Sequence, residues 1–293
     1  MKAVPCHEKL ARVADSKNAW ILDLDGVVYR GREVIPGAKE AIARLKRAGK
    51  RVLFLTNNST RTREAYVDVL RGMGIESNVD DIFTSAMLTV KWLENHVNAQ
   101  KTRPKDVIVY VIGEEGIKTA LEQHGFSLAR EQDFDADKAL HGRVRFVIVG
   151  LDRQLTYRKL DIALNCIVNG AAFLATNADV SLPMEGGGLA PGAGAIVQAL
   201  ATCSRHPPDF GSPFGKPNPM AFHEIARSIG MPLASMVSVG DRLETDVLAS
   251  NKAGVTSILV LSGVTREGDE IPAGMAPDII LQSIDALNKS SLA

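Results

Sequence analysis

The chain has 293 residues, of which 45% are hydrophobic and 23% are charged, and its formal net charge is +0. This composition is ordinary for a globular protein and offers no excess positive charge to attract nucleic acid or anionic lipid. No apolar run approaches the roughly 20 residues of a membrane-spanning helix, so we expect neither a nucleic-acid nor a membrane partner. The length predicts one large domain or two smaller ones. Three cysteines without CxxC spacing (Cys6, Cys166 and Cys203) favour structural thiols in a reduced, cytoplasmic setting.

Strands and helices alternate over the first 97 residues. After a leader over residues 1–17 with one short helix, apolar runs predict strands and 3.6-residue periodicity predicts helices. The predicted elements are a strand over 20–24, a helix over 38–48, a strand over 51–55, a helix over 65–73, a strand over 82–85 and a helix over 86–96. This order is typical of a parallel sheet with helices on its faces.

The pattern restarts at about residue 98. The elements predicted there are strands over 107–112, 146–149 and 172–176, helices over 117–124, 157–168 and 195–203, and a glycine- and proline-rich loop over 183–194. The segments Gly186-Gly187-Gly188 and Gly192-Ala193-Gly194 in this loop lack dinucleotide-binding spacing and are interpreted as hinge or loop. Because this block is large enough to hold its own core, we interpret residues 98–207 as an inserted second domain.

The first pattern resumes after this block. It predicts a helix over 217–229, a strand over 236–239, a helix through 247–249 and strands over 257–261 and 278–281. Residues 1–97 and 208–293 are therefore expected to form one α/β core around a parallel sheet.

Two carboxylates follow the first predicted strand. Asp23 and Asp25 stand where the apolar run that begins at Trp20 meets Gly26, and ligands of open α/β sheets bind outside the carboxyl ends of strands. In a regular strand the two side chains point to opposite faces, so one carboxylate and the other residue's carbonyl or bent side chain would share the site. Like charges there need a cation, and Mg²⁺ suits carboxylates together with a substrate phosphate. A plain acidic turn is the alternative.

Polar residues also stand at later strand ends and helix starts. They are Thr56, Asn57 and Asn58, then Lys216, and then Asp241 and Asp246. Taken singly, Thr56 or Asn58 is explained as a helix cap. Lys216 is likewise explained as a solvated lysine, and Asp241 as a turn former. Together they supply what phosphoryl transfer needs: a carboxylate nucleophile, a metal, a cation for the phosphoryl oxygens, and hydroxyl or backbone donors.

Four segments resemble, in order, the four motifs of the haloacid dehalogenase-like (HAD) superfamily. They are Asp23-Leu24-Asp25-Gly26-Val27, Leu55-Thr56-Asn57-Asn58-Ser59, Gly215-Lys216-Pro217 and Gly240-Asp241-Arg242-Leu243-Glu244-Thr245-Asp246. The match covers nearly the whole chain. It is similar, more narrowly, to the C2-capped phosphatases, which include 4-nitrophenyl phosphatase, phosphoglycolate phosphatase, pyridoxal phosphatase and NagD-like nucleotidases. The resemblance implies a Rossmann-like α/β core with an inserted α/β cap, and a Mg²⁺-dependent phosphatase of small phosphorylated metabolites.

The resemblance also implies roles for the carboxylates. Asp23 would attack phosphorus and form an aspartyl-phosphate, while Asp25 would protonate the leaving oxygen and later activate water. Mg²⁺ would be held by Asp23, the Asp25 carbonyl and Asp241, with Asp246 behind these ligands.

The phosphate-binding roles follow from the same resemblance. The loop from Thr56 to Asn58 would hold the phosphoryl oxygens, with the Thr56 hydroxyl and the Asn57 amide as donors. Lys216 would offset the negative charge of Asp23 and of the phosphate.

The position of the inserted block predicts how it acts. Only one helix and one strand fit between Asp25 and Thr56, so the 98–207 block enters after the second motif, which is the C2 arrangement. Such a block is expected to close over the strand ends and to read the leaving group. Asn177 and Asp179 are the candidate contacts, and a plain turn explains them about as well. Relatives often dimerise through this domain, so the resemblance leaves a homodimer open.

Other functions remain as alternatives. A dehalogenase on the same scaffold lacks the second aspartate, and Asp25 argues against it. A phosphomutase stays open, although its cap usually enters between the first two motifs. A non-catalytic phospho-acceptor or sensor is a different class, but receiver domains are far shorter and carry no cap. A 4-nitrophenyl phosphate assay with Mg²⁺ separates catalyst from sensor.

Overall fold

The computed structural model describes residues 6–183 and 188–289. Their backbone divides into two compact units. The core unit comprises residues 6–56, 66–83 and 216–289, and the second unit comprises residues 57–65 and 84–215 with the exception of 184–187. Residues 1–5 of the predicted leader and Gly186 and Gly187 of the predicted loop lie outside the described residues.

The regular elements are numbered in chain order. The helices are α1 Cys6–Ser16, α2 Ala38–Arg47, α3 Arg63–Gly72, α4 Ser85–Ala99, α5 Glu115–Gln123, α6 Asp133–Ala136, α7 Tyr157–Val168, α8 Ala193–Ser204, α9 Met220–Ile229, α10 Leu248–Ala253 and α11 Ala286–Lys289. The strands are β1 Ala19–Leu22, β2 Tyr29–Arg30, β3 Glu33–Val34, β4 Arg51–Thr56, β5 Ile82–Thr84, β6 Ile108–Ile112, β7 Ser127–Ala129, β8 Phe146–Val149, β9 Ala172–Ala175, β10 Ser181–Pro183, β11 Leu189–Pro191, β12 Met236–Gly240, β13 Thr256–Val260 and β14 Ile279–Leu281.

The core unit is built on a six-stranded sheet in the order β14-β13-β12-β1-β4-β5. The pairs from β14 to β4 are all parallel, and Trp20 lies level with Val237 on one side and Val52 on the other. Every residue of β1 and β12 is buried, as expected for parallel strands covered on both faces, and this explains their continuous apolar sequences. The predicted α/β fold with a parallel sheet is confirmed.

The helices that flank this sheet follow from their amphipathic sequences. In α2, four positions three or four residues apart are buried against the core cluster (Ala38, Ala41, Ile42 and Leu45), while the charged positions face outward. The helix ends before Gly49, whose φ of +74° lies in the left-handed region that favours glycine.

The second unit has its own four-stranded parallel sheet, in the order β7-β6-β8-β9. A separate apolar cluster fills it, with Phe173, Val147 and Ile112 fully buried. A hairpin of β10 and β11 connects the end of this sheet to α8. Besides residues 57–65, the second unit contains the range 84–215, whereas the predicted insertion covers 98–207. The ranges differ because α4 and the segment 208–215 lie with the second unit.

The sequence analysis did not predict several short elements. Strand β7 has three half-buried residues and no apolar run, and β10 and β11 replace part of the predicted loop. Helix α8 begins at Ala193, so Gly194 belongs to a helix and the loop interpretation was wrong there. Among the helices that the structure describes, none combines the length and the apolar character needed to cross a bilayer.

Candidate active site

Three adjacent strands of the core sheet end in polar residues. Asp23 follows β1, Thr56 is the last residue of β4, and Asp241 follows β12. Since β12, β1 and β4 are parallel neighbours, their carboxyl ends meet at one edge of the sheet, where ligands of α/β proteins bind.

The chain turns sharply after β1. The carbonyl of Leu24 accepts hydrogen bonds from the N–H groups of Val28 (2.9 Å) and Tyr29 (3.1 Å), and Gly26 has a φ of +83°. Only glycine adopts this conformation without strain. Because of the turn, the two carboxylates have different surroundings: the Asp23 side chain is 11% exposed, and Asp25 is exposed to solvent.

Lys216 is buried among carboxylates, so its explanation as a solvated lysine is wrong. Its Nζ donates to Asp23 Oδ1 at 2.5 Å and to Asp246 Oδ1 at 2.5 Å, and also to the carbonyl of Leu55 at 3.2 Å. Burial by itself lowers the pKa of Lys216, but the two carboxylates outweigh burial and raise it. The side chain therefore carries a fixed positive charge between Asp23 and Asp246.

The Asp241 carboxylate is closely surrounded by the backbone of Gly26, Gly263 and Val264. Its Oδ2 accepts the N–H of Val264 at 2.8 Å, and a Cβ atom on Gly26 or Gly263 would stand 2.3 or 1.9 Å from that oxygen. Burial, and then the charge of Asp246, raise the pKa of Asp241 to about 7. The sequence analysis missed Gly263 and Val264, whose only signal is a Ser-Gly pair shortly after a buried strand.

Asp246 is held by a widened helical turn. The N–H of Val247 reaches back five residues to the carbonyl of Arg242 at 3.2 Å, which is the spacing of a π-helix. Asp246 Oδ2 accepts the N–H of Arg242 at 3.1 Å, while Oδ1 receives Lys216. Both oxygens of Asp246 thus have hydrogen-bond donors from the protein. This suits a carboxylate that holds Lys216 in place and is not itself a direct ligand of the cation.

The cluster as a whole is short of positive charge. Oxygen atoms of Asp23, Asp241 and Asp246 lie within 4.8 Å of one another. Burial, together with the charges of Asp246 and Asp241 and against the opposing charge of Lys216, raises the pKa of Asp23 well above its ordinary value. With all three carboxylates ionised, one ammonium leaves two negative charges uncompensated, and hard carboxylate oxygens are the ligands that Mg²⁺ prefers. The donor set therefore fits a divalent cation.

The residues after Thr56 belong to the second unit. Asn57 donates its side-chain amide to Asp179 Oδ1 at 3.0 Å and accepts the Ser85 hydroxyl at its carbonyl at 2.6 Å. Asn58 Oδ1 instead accepts the N–H of Thr60 at 3.1 Å and so closes a local turn. Helix α3 begins after this turn with an N–H bonded to Thr62 Oγ1, so the helix-cap explanation does not apply to Asn58.

Asn177 and Asp179 contact protein groups in the second unit. Asn177 donates to Asp179 Oδ2 at 3.0 Å and accepts the Thr176 hydroxyl at 2.8 Å. Asn177 is 3% exposed. The predicted contact of these two residues with a leaving group stays a prediction. The hydrogen bond between Asp179 and Asn57 was not predicted from the sequence.

Comparisons with known proteins place this arrangement in a family. The model of the haloacid dehalogenase-like hydrolases matches residues 20–127, and a HAD-hydrolase-like model matches residues 213–287. The 5'-nucleotidase YutF of Bacillus subtilis is 38% identical over 247 residues, which are 84% of this chain and 88% of the relative.

Solved structures agree with the sequence comparisons. The 4-nitrophenylphosphatase of Thermotoga maritima has a TM-score of 0.82 and 33% identity, over 95% of this chain and 98% of its own. The glycerol phosphate phosphatase of Mycobacterium tuberculosis in complex with magnesium has a TM-score of 0.81 and 29% identity, over 95% and 78%. A putative NagD protein has a TM-score of 0.80 and 31% identity, over 94% and 98%.

The site and the comparisons together define a hydrolase with an aspartate-rich site at the edge of a parallel sheet. The chain belongs to the haloacid dehalogenase-like hydrolase family, among its NagD-like phosphatases. The predicted family and the predicted enzyme class, a phosphoric monoester hydrolase, are confirmed.

Proposed function

We propose that this protein is a Mg²⁺-dependent phosphatase of small phosphorylated metabolites that works through an aspartyl-phosphate on Asp23. The observation that carries the proposal is the placement of Lys216, buried between Asp23 and Asp246 with Asp241 in the same cluster. The Lys216 ammonium opposes the effect of burial on the pKa of Asp23 and so favours the ionised carboxylate, the form in which Asp23 acts as a nucleophile.

In the first step, a carboxylate oxygen of Asp23 attacks phosphorus. A bond forms between this oxygen and phosphorus while the bond from phosphorus to the ester oxygen breaks. Asp25 gives its proton to the departing oxygen, so the leaving group departs as a neutral alcohol. Lys216 and the loop that starts at Thr56 stabilise the charge on the transferring oxygens.

In the second step, water attacks the same phosphorus atom. Asp25, now a carboxylate, takes a proton from the water, and the bond between phosphorus and the Asp23 oxygen breaks to release inorganic phosphate. Because Asp25 is exposed, it exchanges protons with solvent between turnovers. Asp23 and Asp25 thus divide the work of nucleophile and acid–base catalyst.

A bound Mg²⁺ would supply the positive charge that the cluster lacks and would reduce repulsion between Asp23 and an anionic substrate. Asp23, the Asp25 carbonyl and Asp241 would hold it. Asp246 would act from behind, because its two oxygens are already bonded to Lys216 and to the Arg242 N–H.

The names of the relatives support the proposed substrate class. Relatives named for nucleotides, glycerol phosphate and 4-nitrophenyl phosphate share small leaving groups. We propose that the block predicted at 98–207 acts as the cap that selects among such esters, without supplying a catalytic group, since all four motif segments lie outside it.

The direct test is hydrolysis of 4-nitrophenyl phosphate with and without Mg²⁺. We expect turnover to vanish after EDTA treatment, to return on addition of Mg²⁺, and to fall at least about 100-fold in Asp241→Ala, because the uncompensated cluster no longer binds the cation. Asp269→Ala is the matched control, since Asp269 is an exposed aspartate of the core unit that caps a turn. Turnover that survives EDTA and is unchanged in Asp241→Ala would contradict the proposal, and a protein without turnover would favour the sensor alternative.

A further inference from the structure

A chain of hydrogen bonds in the second unit connects Thr176 to Asn57, the residue that follows Thr56. The Thr176 hydroxyl donates to Asn177 Oδ1 (2.8 Å), Asn177 donates to Asp179 Oδ2 (3.0 Å), and Asn57 donates to Asp179 Oδ1 (3.0 Å). Asp179 therefore accepts a hydrogen bond from one amide group at each of its two oxygens. An ionised carboxylate suits this position because it has two acceptor oxygens and no donor.

The backbone of Asp179 is fixed at the start of α8. Its carbonyl accepts the N–H of Gly194 at 3.0 Å, and a Cβ atom on Gly192 would stand 2.0 Å from that carbonyl oxygen. The two glycines of the Gly192-Ala193-Gly194 segment thus let the helix start approach this loop closely. The carboxylate that receives Asn57 is consequently held in place by a regular element.

Asn57 is enclosed from its other sides as well. Its carbonyl accepts the Ser85 hydroxyl at 2.6 Å, and a Cβ atom on Gly215 would stand 2.5 Å from its Oδ1. Gly215 is itself bonded through its N–H to the Thr176 carbonyl at 2.8 Å. Asn57 is 7% exposed. With its side chain and its carbonyl both tethered, Asn57 has a restricted orientation, and the direction of its own backbone N–H is restricted with it.

We propose that Asp179 is a positioning residue that orients Asn57, and with it the Asn57 N–H, toward the phosphoryl oxygens of the substrate. The inference rests on the proposed phosphatase function, in which the Thr56–Asn58 loop binds the phosphoryl group. Its consequence differs from that of a residue that reads the leaving group. A positioning residue acts on the part of the substrate that all phosphate esters share, so its loss lowers turnover of every ester by a similar factor.

The experiment is a double-mutant cycle between Asn57→Ala and Asp179→Ala. Turnover of 4-nitrophenyl phosphate, glycerol phosphate and a nucleoside monophosphate is measured for the wild type, both single variants and the double variant. Each single substitution is expected to lower kcat about 10- to 100-fold for all three esters. In the Asn57→Ala background, Asp179→Ala is expected to have almost no further effect, because the group that it orients is gone.

The controls separate positioning from folding. Asp161→Ala removes an exposed aspartate on α7 whose side chain accepts a hydrogen bond from the amide of Asn165 on the same helix, and should retain wild-type kcat. Melting temperatures are recorded for every variant. If Asp179→Ala does not fold, the cycle is run with Asp179→Asn, which keeps the shape of the side chain but turns an amide N–H₂ toward one of its two donors.

Three results would overturn the inference. The first is a full additional loss from Asp179→Ala in the Asn57→Ala background. The second is a loss confined to one ester, which would make Asp179 a reader of the leaving group. The third is wild-type turnover in both Asp179 variants. A wild-type protein that hydrolyses none of the esters is a separate outcome, which refutes the proposed function itself and the inference with it.

Discussion

Replacing Asp23 with asparagine is expected to abolish turnover while the protein remains folded. Asparagine keeps the shape of the side chain and an oxygen for the Lys216 ammonium, which is bonded to Asp23 Oδ1 in the structure, but an amide is not a nucleophile toward phosphorus. Loss of covalent catalysis should lower kcat by at least about 10⁴-fold. Stopped assays with 4-nitrophenyl phosphate measure the residual rate, and circular dichroism and thermal melting verify the fold.

The matched control for this variant is Asp15→Asn. Asp15 is an exposed aspartate on α1, and the contact shown for it uses its backbone carbonyl, which accepts Lys50 Nζ. This variant should have wild-type kcat. A folded Asp23→Asn protein with turnover near that of the control would exclude Asp23 as the nucleophile.

The second large effect is expected at Lys216. Replacing it with methionine removes the only ammonium bonded to Asp23 and Asp246 among the described contacts and leaves buried carboxylates without their partner. Breaking a buried ion pair from one side destabilises a protein by about 3–5 kcal/mol. Kcat should also fall at least about 100-fold, since a charge that stabilises the transferring phosphoryl group is lost.

The pH dependence of the Lys216→Met defect has a definite sign. Burial already raises the pKa of Asp23, and without the ammonium this carboxyl holds its proton to higher pH in the folded state. A folded-state carboxyl pKa above the unfolded value makes stability fall as pH rises toward it. Denaturation of the metal-free protein should therefore show a larger loss at pH 8 than at pH 5, relative to the exposed control Lys252→Met. An equal loss at both pH values would contradict this account.

The core sheet was predictable because its strands are short and apolar throughout. The buried runs of β1, β4 and β12 stand out in the sequence, and each ends at a polar residue that the chain places at the sheet edge. Parallel strands with helices between them bring these ends together without any knowledge of long-range contacts. For that reason the position of Asp23, Thr56 and Asp241 at one edge of the sheet was predictable from the sequence.

Contacts between distant residues were not predictable in the same way. Lys216 bonds to Asp23 across 193 positions, and Asn57 bonds to Asp179 across 122. A lone lysine before a proline and an asparagine in a loop carry no sign of burial. The pairing of Lys216 with Asp23 was expected only from the family motifs, and the bond between Asn57 and Asp179 was not expected at all. The π-helical turn that holds Asp246 is a further example, since its five-residue hydrogen bond follows from the tertiary contacts of Asp246 and not from helix propensity.

The central claim is a covalent phosphoryl group on Asp23, and acid trapping during turnover tests it most directly. The protein is mixed with 4-nitrophenyl phosphate and Mg²⁺, quenched in acid within milliseconds, digested and analysed by mass spectrometry. The account predicts that the peptide with Asp23 carries the mass of one added phosphoryl group, that hydroxylamine removes it, and that Asp23→Asn never acquires it. An active wild-type enzyme that forms the adduct on another residue, or releases phosphate without any acid-stable adduct on Asp23 at any quench time, would contradict the account.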